Sequence, residues 1–597
     1  MLAALVQYYR RRAAEPGSDV PLYGYSTEKI AIELVLAADG SLVEAFDIRS
    51  DGKKRRDPRL LAVPRIGGPR TSGVRAYFLW DKTSYLLGAD PKRRPDQVAD
   101  HFQASRDLHH RLLDGVDDAG AGALLAFLDH WNPAEAPDRI PSWEELAGQN
   151  LVFSLDGEPG YLHLRPALAK IWAGEVARSQ GDAPVGQCLI TGETGPIQAI
   201  HPILKGVAGA QTSGAAIVSL NQESFRSYGG DQAISSPVGT FAAFAYTTAL
   251  NELLRPGSDQ RLILGDATTV FWAEKKCATE GLFAHLANPP LEGQKDDQRV
   301  LDPATTDRVR IALDHLRDGR PPHDALTDYD PDTRFFVLGL AAPALSRLAV
   351  RFWLDTTLGQ ILERIGSHYR ALRIEKQHPG KTLPSEPDFP PLWLLLRQTA
   401  LGGEGKNISP ALNAALQRAV LTGGPYPDAL LAAVLERMRA GHGDSEPVSY
   451  LRMALVKACL VRGHPDAEVL EKSLMTLNPD DPDPAYRLGR LFAALERAQQ
   501  LALGHNINAT IKDRYFGTAS AAPRSVFPNL IRLAQHHLSK ADNSGWLDKQ
   551  IGDIADGIAT FPAHLTLEDQ GRFALGYYHQ RNALWRKKTD DQPQSES

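Results

Sequence analysis

Cysteine and methionine are scarce in this sequence, and neither sign of charge is in large excess. The three cysteines, Cys188, Cys277 and Cys459, lie far apart in a chain of 597 residues. Such spacing argues against a disulfide framework and fits a reducing cytoplasm. The formal net charge is −6, from 66 basic and 72 acidic side chains, so the overall charge does not indicate a nucleic-acid-binding protein. Nucleic-acid binding is still compatible with it, because phosphate binding depends on local basic patches.

Long apolar runs are also missing. No run reaches the roughly 20 residues that a helix needs to cross a bilayer, so we expect no contact with a membrane. The first 17 residues carry their positive charge after the apolar residues, whereas a secretory signal has the opposite order. These features predict a cytoplasmic protein that folds around buried cores.

Strand signals dominate the first part of the chain and helical signals the second. Asp-Gly pairs at 39–40 and 156–157 separate apolar runs, which predicts two hairpins. From about residue 356, apolar residues recur at helical spacing. We therefore predict an α+β fold whose mixed N-terminal and central regions are followed by an all-α helical bundle. The predicted regions are 1–150 (N-terminal, α+β), 151–355 (central, α+β), 356–474 (helical) and 475–597 (C-terminal helical bundle). Within the central region, the Pro- and Asp-rich residues 285–330 predict a loop or lid-like insertion.

The stretch 201–236 is the most unusual in composition, since it is rich in Gly, Ser, Gln and Asn and has little charge. Glycines let a backbone approach DNA closely, and amide and hydroxyl side chains supply donors and acceptors that can read a groove. A lysine can anchor a phosphate, and an aromatic ring can wedge against a base step. The alternative is a connection whose polar groups cap neighbouring helices and strands. The candidates are Lys205, Gly206, Gly209, Gln211, Thr212, Ser213, Gly214, Asn221, Gln222, Phe225 and Tyr228.

Three further groups of residues could meet nucleic acid, and each could equally be an ordinary solvated surface. The first consists of Arg70, Thr71, Ser72 and Lys82, which flank a small-residue loop and the core segment 77–80. The second is the basic run Lys53, Lys54, Arg55 and Arg56. The third mixes amides, cations and an aromatic ring, as single-strand grooves do. Its members are Asn506, Asn508, Lys512, Arg514, Tyr515, Arg524, Arg532 and Lys540.

Four segments together resemble the large subunit of the type I-C CRISPR surveillance complex, Cascade. They occur in the family's order and at similar spacing, over essentially the whole chain. The segments are RTSGVRAYFLWDKTSYLLG (70–88), CLITGETGPIQAIHPILKGVAGAQTSGAAIVSLNQESFRSYG (188–229), AFAYTTALNELL (243–254) and RFFVLGLAAPALSRLAVRFW (334–353).

The resemblance implies a non-catalytic DNA-binding subunit without a cofactor. Members of this family recognise a short protospacer-adjacent motif in duplex DNA, help to open the duplex into an R-loop and recruit a separate helicase-nuclease. The implied partners are CRISPR RNA, the target duplex with its displaced single strand, and the backbone, guide-end and small subunits of the complex. The resemblance places the N-terminal region near the guide RNA, where Lys53–Arg56 could clamp phosphates. It also implies that an internal start, here at Met475, could yield a small subunit of residues 475–597.

Three alternatives from other classes remain open. Asp266 and Glu274 follow neighbouring predicted strands, and with Lys276 they resemble the Mg²⁺ site of a restriction-type nuclease. Cys188 and His201 flank a strand–turn–strand like half of a zinc ribbon, but the second ligand pair is missing, so a buried Cys and a hydrogen-bonded His are the better interpretation. A purely structural subunit that contacts only RNA and protein is the third.

Overall fold

A computed structural model describes residues 1–16, 18–51, 56–65, 73–181, 183–220, 235–264, 267–291, 302–378, 381, 383–440, 447–504 and 509–585. The chain forms two compact units. The first comprises Met1–Pro256 and Ala342–Ala349, and the second Gly257–Ala341 and Val350–Ser597. Strands are concentrated before residue 358 and helices after it, which confirms the predicted α+β class. The division into four regions stays a prediction.

The first unit contains helices and short sheets. Its helices are α1 (Leu2–Ala14), α2 (Thr83–Leu86), α3 (Pro95–Leu113), α4 (Ala119–His130), α5 (Ala136–Arg139), α6 (Trp143–Leu146), α7 (Pro166–Arg178) and α8 (Thr240–Leu254). Its strands are β1 (Tyr25–Ile30), β2 (Ile32–Leu36), β3 (Leu42–Asp47), β4 (Ser50–Asp51), β5 (Arg56–Asp57), β6 (Arg59–Pro64), β7 (Trp80–Lys82), β8 (Asn150–Leu155), β9 (Val185–Gln187) and β10 (Thr194–Pro196).

A four-stranded sheet of order β3-β2-β8-β7 organises the N-terminal core. Its β2–β3 hairpin confirms the prediction made from Asp39 and Gly40: the Asp39 carboxylate accepts the Ser41 N–H, and Gly40 has φ +86°. The hairpin predicted around Asp156 and Gly157 forms only in part. Its first strand is β8, but its second strand is missing, because the returning chain makes a single antiparallel bridge, Tyr161 to Ser154, before a 3-10 turn at Leu162–Leu164. Consecutive burial in that turn does not suit a strand, which alternates its faces.

The second unit begins with strands and ends in helices. Its strands are β11 (Arg261–Leu264), β12 (Ala267–Ala273), β13 (Arg334–Ala344) and β14 (Arg347–Thr357), the tip of the β13–β14 hairpin belonging to the first unit. Its helices are α9 (Thr279–Ala287), α10 (Pro303–Arg317), α11 (Leu358–Leu372), α12 (Leu392–Arg397), α13 (Pro410–Thr422), α14 (Asp428–Ala440), α15 (Tyr450–Val461), α16 (Ala467–Ser473), α17 (Pro484–Leu503), α18 (Ile511–Ala521), α19 (Phe527–Leu538), α20 (Gly545–Asp556) and α21 (Leu567–Trp585).

Strands β11 to β14 form a four-stranded sheet in chain order. The loop predicted across 285–330 is wrong in its middle, where α10 begins at an Asp302 cap and buries Val309, Leu313 and Leu316. The apolar spacing of this helix is regular, but the Pro- and Asp-rich flanks obscured it.

The C-terminal helices form one bundle with a continuous apolar core. Helices α17 and α21 approach closely at Gly489 and Gly576, where an added Cβ would overlap the backbone of the facing helix. The helical spacing of apolar residues in this part of the chain is confirmed by α13, α14, α15, α17, α19 and α21. Among the described residues, no helix is both long and apolar enough to cross a membrane.

Candidate nucleic-acid interface

The central candidate loop is a closed turn of chain, residues 205–214, whose two ends are joined by backbone hydrogen bonds. Leu204 and Ala215 exchange N–H···O bonds of 2.8 Å in both directions. Inside the loop, Ala210 donates to the Val207 carbonyl and Gly214 to the Gln211 carbonyl, so two tight turns fix its path. The loop is therefore a defined surface feature.

Two of its glycines are required by the protein's own packing. Gly206 has φ +88°, and a Cβ there would lie 2.5 Å from the carbonyl oxygen of Leu254. Gly214 has φ +107°, and its Cβ would lie 2.9 Å from the Leu204 carbonyl oxygen. Gly209 also has a positive φ, +79°, but no atom lies within 4 Å of its Cβ position. The close approach predicted for DNA is thus made to protein backbone at Gly206 and Gly214, and Gly209 alone of the three faces open space.

The amide of Gln211 serves the loop itself. Its Nε2 donates to the Gly214 carbonyl at 2.8 Å, and its backbone N–H donates to the carbonyl of Leu345 at 2.9 Å. This is the capping role that the alternative interpretation of the stretch described.

The side chains of Lys205, Thr212 and Ser213 are exposed on the same loop. The backbone N–H of Lys205 donates to Oδ1 of Asn251 on α8 at 2.9 Å, and the Asn251 amide donates to the Ile203 carbonyl. Asn251 therefore fixes the backbone at Lys205 while the lysine side chain faces solvent. Asn221, Gln222, Phe225 and Tyr228 lie outside the described residues.

The tip of the β13–β14 hairpin supports the loop. The sequence did not predict this contact. Ala216 and Arg347 form a parallel bridge, with Ala216 donating to Ser346 and Leu348 donating to Ala216. The Arg347 guanidinium donates to the carbonyl of Ser219 at 3.0 Å. Leu345, at the tip, is 68% exposed. No local motif marks this pairing, because it joins segments about 130 residues apart.

The second candidate group is only partly described. Lys82 ends β7, paired with Asn150 of β8, and is half-buried, while Arg70, Thr71 and Ser72 lie outside the described residues. Within the predicted core segment 77–80, Phe78, Leu79 and Trp80 are buried, and the half-buried Tyr77 stacks on Trp80 with ring centres 4.7 Å apart.

Arg56 is the described member of the basic run, and its charge is paired. Its guanidinium donates to the Asp47 carboxylate at 2.6 Å and to the carbonyl of Arg49 at 2.9 Å. Hydrogen bonds from Arg49 hold the pKa of Asp47 below its usual range, so Asp47 stays ionised beside Arg56. A phosphate would have to compete with this carboxylate. Lys53, Lys54 and Arg55 lie outside the described residues.

In the C-terminal group, the described cations differ in role. Arg514, Arg532 and Lys540 are exposed, and Lys512 is half-buried in the first turn of α18. The backbone N–H of Arg524 donates to the Pro562 carbonyl at 3.1 Å, and its side chain approaches the Phe561 carbonyl. Arg524 therefore holds the loop before α21. Asn506 and Asn508 lie outside the described residues.

A further cation-rich end of the bundle was not anticipated from the sequence. The guanidinium groups of Arg497 and Arg581 lie 4.9 Å and 5.4 Å from the ring centre of Trp585, at the end of α21. Spacing within α21 places Arg581 near Trp585, but the approach of Arg497 depends on how α17 and α21 pack.

The residues proposed for a nuclease or zinc site do not form one among the described residues. Glu274 pairs with Arg334, which also pairs with Asp355, and Asp266 is not among the described residues. His201 is buried, shares a 2.7 Å hydrogen bond with the Tyr246 hydroxyl, and has its pKa lowered to about 4 by burial. Cys188 is buried as well. The described part of the chain holds no cluster of three His, Cys, Asp or Glu side chains suited to a metal.

Comparison with known proteins gives one match and one negative result. The model of a family described as CRISPR-associated protein (Cas_Csd1) matches residues 5–585, nearly the whole chain. No curated protein matches the sequence.

Proposed function

Because the chain belongs to the Cas_Csd1 family of CRISPR-associated proteins, we propose that it is the non-catalytic large subunit of a type I-C Cascade and recognises a short motif in duplex DNA. In such complexes, base pairing with the guide RNA carries most of the specificity, and protein reads only a short motif and the DNA backbone. The family assignment confirms the resemblance of the four sequence segments.

The observation that carries the DNA-reading proposal is the exposed edge of the 205–214 loop. Internal hydrogen bonds, packing against Leu254 and the hairpin tip fix its backbone, while the side chains of Lys205, Thr212 and Ser213 face solvent. Rigid backbone with exposed hydroxyls and one cation suits groove contact, because little conformational entropy is lost on binding.

Partners of the chain follow from the same proposal. They are CRISPR RNA, the target duplex and its displaced strand, the other Cascade subunits and a recruited helicase-nuclease, in the cytoplasm of a prokaryote. The exposed cations Arg514, Arg532 and Lys540 would face the displaced strand, and Lys53–Arg55 the guide RNA. An internal start at Met475 would supply a small subunit.

The test is duplex binding by the complex assembled with guide RNA, with Lys205→Ala compared with Lys170→Ala, an exposed lysine on α7. Loss of a phosphate contact should weaken binding to all duplexes and reduce the slope of log affinity against log salt by about 1. Lys170→Ala should behave as the unsubstituted chain. A complex that binds duplex DNA equally well without this chain would overturn the proposal.

A further inference from the structure

A groove of about 180 Å³ lies in the second unit, beside the edge strand β14 and the last turns of α13. It is distinct from every candidate group considered above. The residues that line it are Phe352, Trp353, Leu354, Arg418, Leu421 and Thr422. This lining combines aromatic rings, aliphatic side chains, a hydroxyl and one cation, and it contains no carboxylate.

Three aromatic rings from neighbouring strands pack together beside this groove. The ring centres of Trp272 on β12 and Phe336 on β13 are 5.4 Å apart, and those of Phe336 and Trp353 on β14 are 5.5 Å apart, the latter pair stacked at 9°. Trp272 and Phe336 are buried, whereas Trp353 is half-exposed. The ring centres of Trp272 and Trp353 are also 5.6 Å apart, so the three rings form one mutually packed cluster. Trp353, on the edge strand β14, is its half-exposed member and lines the groove.

The charge around the groove favours an anion. Arg418 is exposed, and no ion pair to it occurs within the described ranges. The C-terminal end of a helix normally repels anions, because its last carbonyls carry partial negative charge. At α13 these carbonyls are engaged by cations: Arg364 donates to Leu421, and Arg462 donates to Ala419. The guanidinium of Arg418 therefore stands beside a helix end whose negative charge is offset.

We propose that this groove holds one unpaired nucleobase of a single-stranded nucleic acid, stacked on Trp353, with a flanking phosphate on Arg418. A flat apolar ring next to a phosphate is the ligand that an aromatic wall and a single cation match together. The cavity has room for one ring system. The inference rests on the proposed function, since it names a further contact of the same nucleic-acid-binding chain.

The direct test titrates the full chain with a fluorescein-labelled 15-nucleotide oligo(dT). Trp353→Ala should weaken binding between about fivefold and a hundredfold, while Trp353→Phe should retain most of the affinity. Arg418→Ala should reduce the salt slope by about 0.7, and Arg418→Lys should restore it. Lys549→Ala, an exposed lysine on α20, is the matched control and should change neither quantity. Thermal unfolding of each variant shows whether the unit is intact.

Photocrosslinking with 5-iodouracil in the oligonucleotide supplies a readout that does not depend on affinity. A crosslink to the peptide containing Trp353 is expected. If Trp353→Ala and Arg418→Ala bind oligo(dT) as the unsubstituted chain does, and no crosslink maps to β14, the groove does not bind a base. The proposed function is unaffected by that result if Lys205→Ala still weakens duplex binding. If the two variants instead lose a protein subunit from the complex at unchanged oligonucleotide affinity, the occupant is a peptide and the inference is overturned. If the complex binds duplex equally well without the chain, the proposed function itself fails.

Discussion

Gly206 lies directly against the carbonyl oxygen of Leu254, the last residue of α8. Gly206→Ala adds a methyl group 2.5 Å from that oxygen and imposes left-handed strain, so it should shift the loop and lower the free energy of unfolding by about 2–4 kcal/mol. Duplex binding should fall with it. The matched variant is Gly209→Ala, whose Cβ meets no atom within 4 Å and which should cost only about 1 kcal/mol. Chemical denaturation measures the free energy of unfolding of both variants, and duplex titration measures their affinity for DNA. Equal losses of stability in Gly206→Ala and Gly209→Ala would show that the contact with Leu254 does not restrict residue 206.

The buried His109 makes the stability of the first unit depend on pH. Its Nε2 accepts the N–H of Leu79, a residue with φ +65°, at 3.0 Å, and its Nδ1 donates to the Ser105 carbonyl at 2.7 Å. Burial lowers the pKa of His109 from 6.5 to about 4. Between these values the unfolded chain binds the proton and the folded chain does not, so stability falls as pH drops from about 6.5 to 4 and levels off below.

This pH effect of His109 amounts to roughly 3 kcal/mol, at about 1.4 kcal/mol for each pKa unit. Urea unfolding between pH 7.5 and 4 measures it. His109→Asn should be less stable at pH 7.5 and should show a flatter pH dependence than the unsubstituted chain, whereas the exposed His130→Asn should keep the full slope. An unchanged slope in His109→Asn would show that the effect arises at other histidines, since burial also lowers the pKa of His163 and His579.

Glycines in the C-terminal bundle should respond to alanine in opposite directions. At Gly576 on α21, a Cβ would overlap the carbonyl oxygen of Tyr486 on α17, so Gly576→Ala should separate the helices and cost several kcal/mol. At Gly552 on α20 no atom lies within 4 Å, so alanine should stabilise the helix by about 1 kcal/mol through its higher helix propensity. Thermal unfolding of the two variants measures these changes in stability. A higher Tm for both Gly576→Ala and Gly552→Ala would contradict the close contact between α17 and α21.

A fragment beginning at Met475 should be less stable than the same residues in the full chain. In the full chain the Met475 carbonyl accepts the Glu375 N–H at 2.9 Å, and the Tyr578 hydroxyl donates to the Glu375 carbonyl at 2.6 Å. Helix α21 also packs on α14 and α15, so the fragment exposes buried apolar surface. Expressed alone, residues 475–597 should show a lower Tm than the C-terminal bundle of the full chain. An equal Tm would indicate that the fragment is self-sufficient.

Periodic patterns predicted the elements of this fold better than composition did. Helices α13, α14, α15, α17, α19 and α21 follow regular apolar spacing, and the β2–β3 hairpin follows its Asp-Gly turn. Composition misled at α10, where proline and aspartate flank an ordinary amphipathic helix. The second strand of the hairpin expected around Asp156 and Gly157 did not form, because the chain turns at Leu162 and His163, which are both buried, and the Asp-Gly signal does not reveal this.

At the candidate site, the sequence identified the unusual segment 201–236. It did not show which residues of this segment stabilise the loop and which are exposed to solvent. The glycines and Gln211 were predicted to contact DNA from their residue type alone. Residue type does not show that Gly206 packs against Leu254 or that Gln211 donates a hydrogen bond to Gly214. Asn251 and the hairpin tip were missed because their contacts join distant parts of the chain. The charge of Arg56 was visible in the sequence, whereas its pairing with Asp47 depends on the fold.

If the 205–214 loop reads a short motif in duplex DNA, as we propose, substitutions in this loop should change which motif the assembled complex selects. The assembled complex is incubated with duplexes that carry a randomised short stretch beside a matching target, and the bound fraction is sequenced. The unsubstituted chain should enrich one short motif, and Thr212→Val combined with Ser213→Ala should lose that enrichment by about tenfold, because good base contacts contribute about 1–3 kcal/mol each. Identical enrichment by the substituted and unsubstituted chains would contradict the claim.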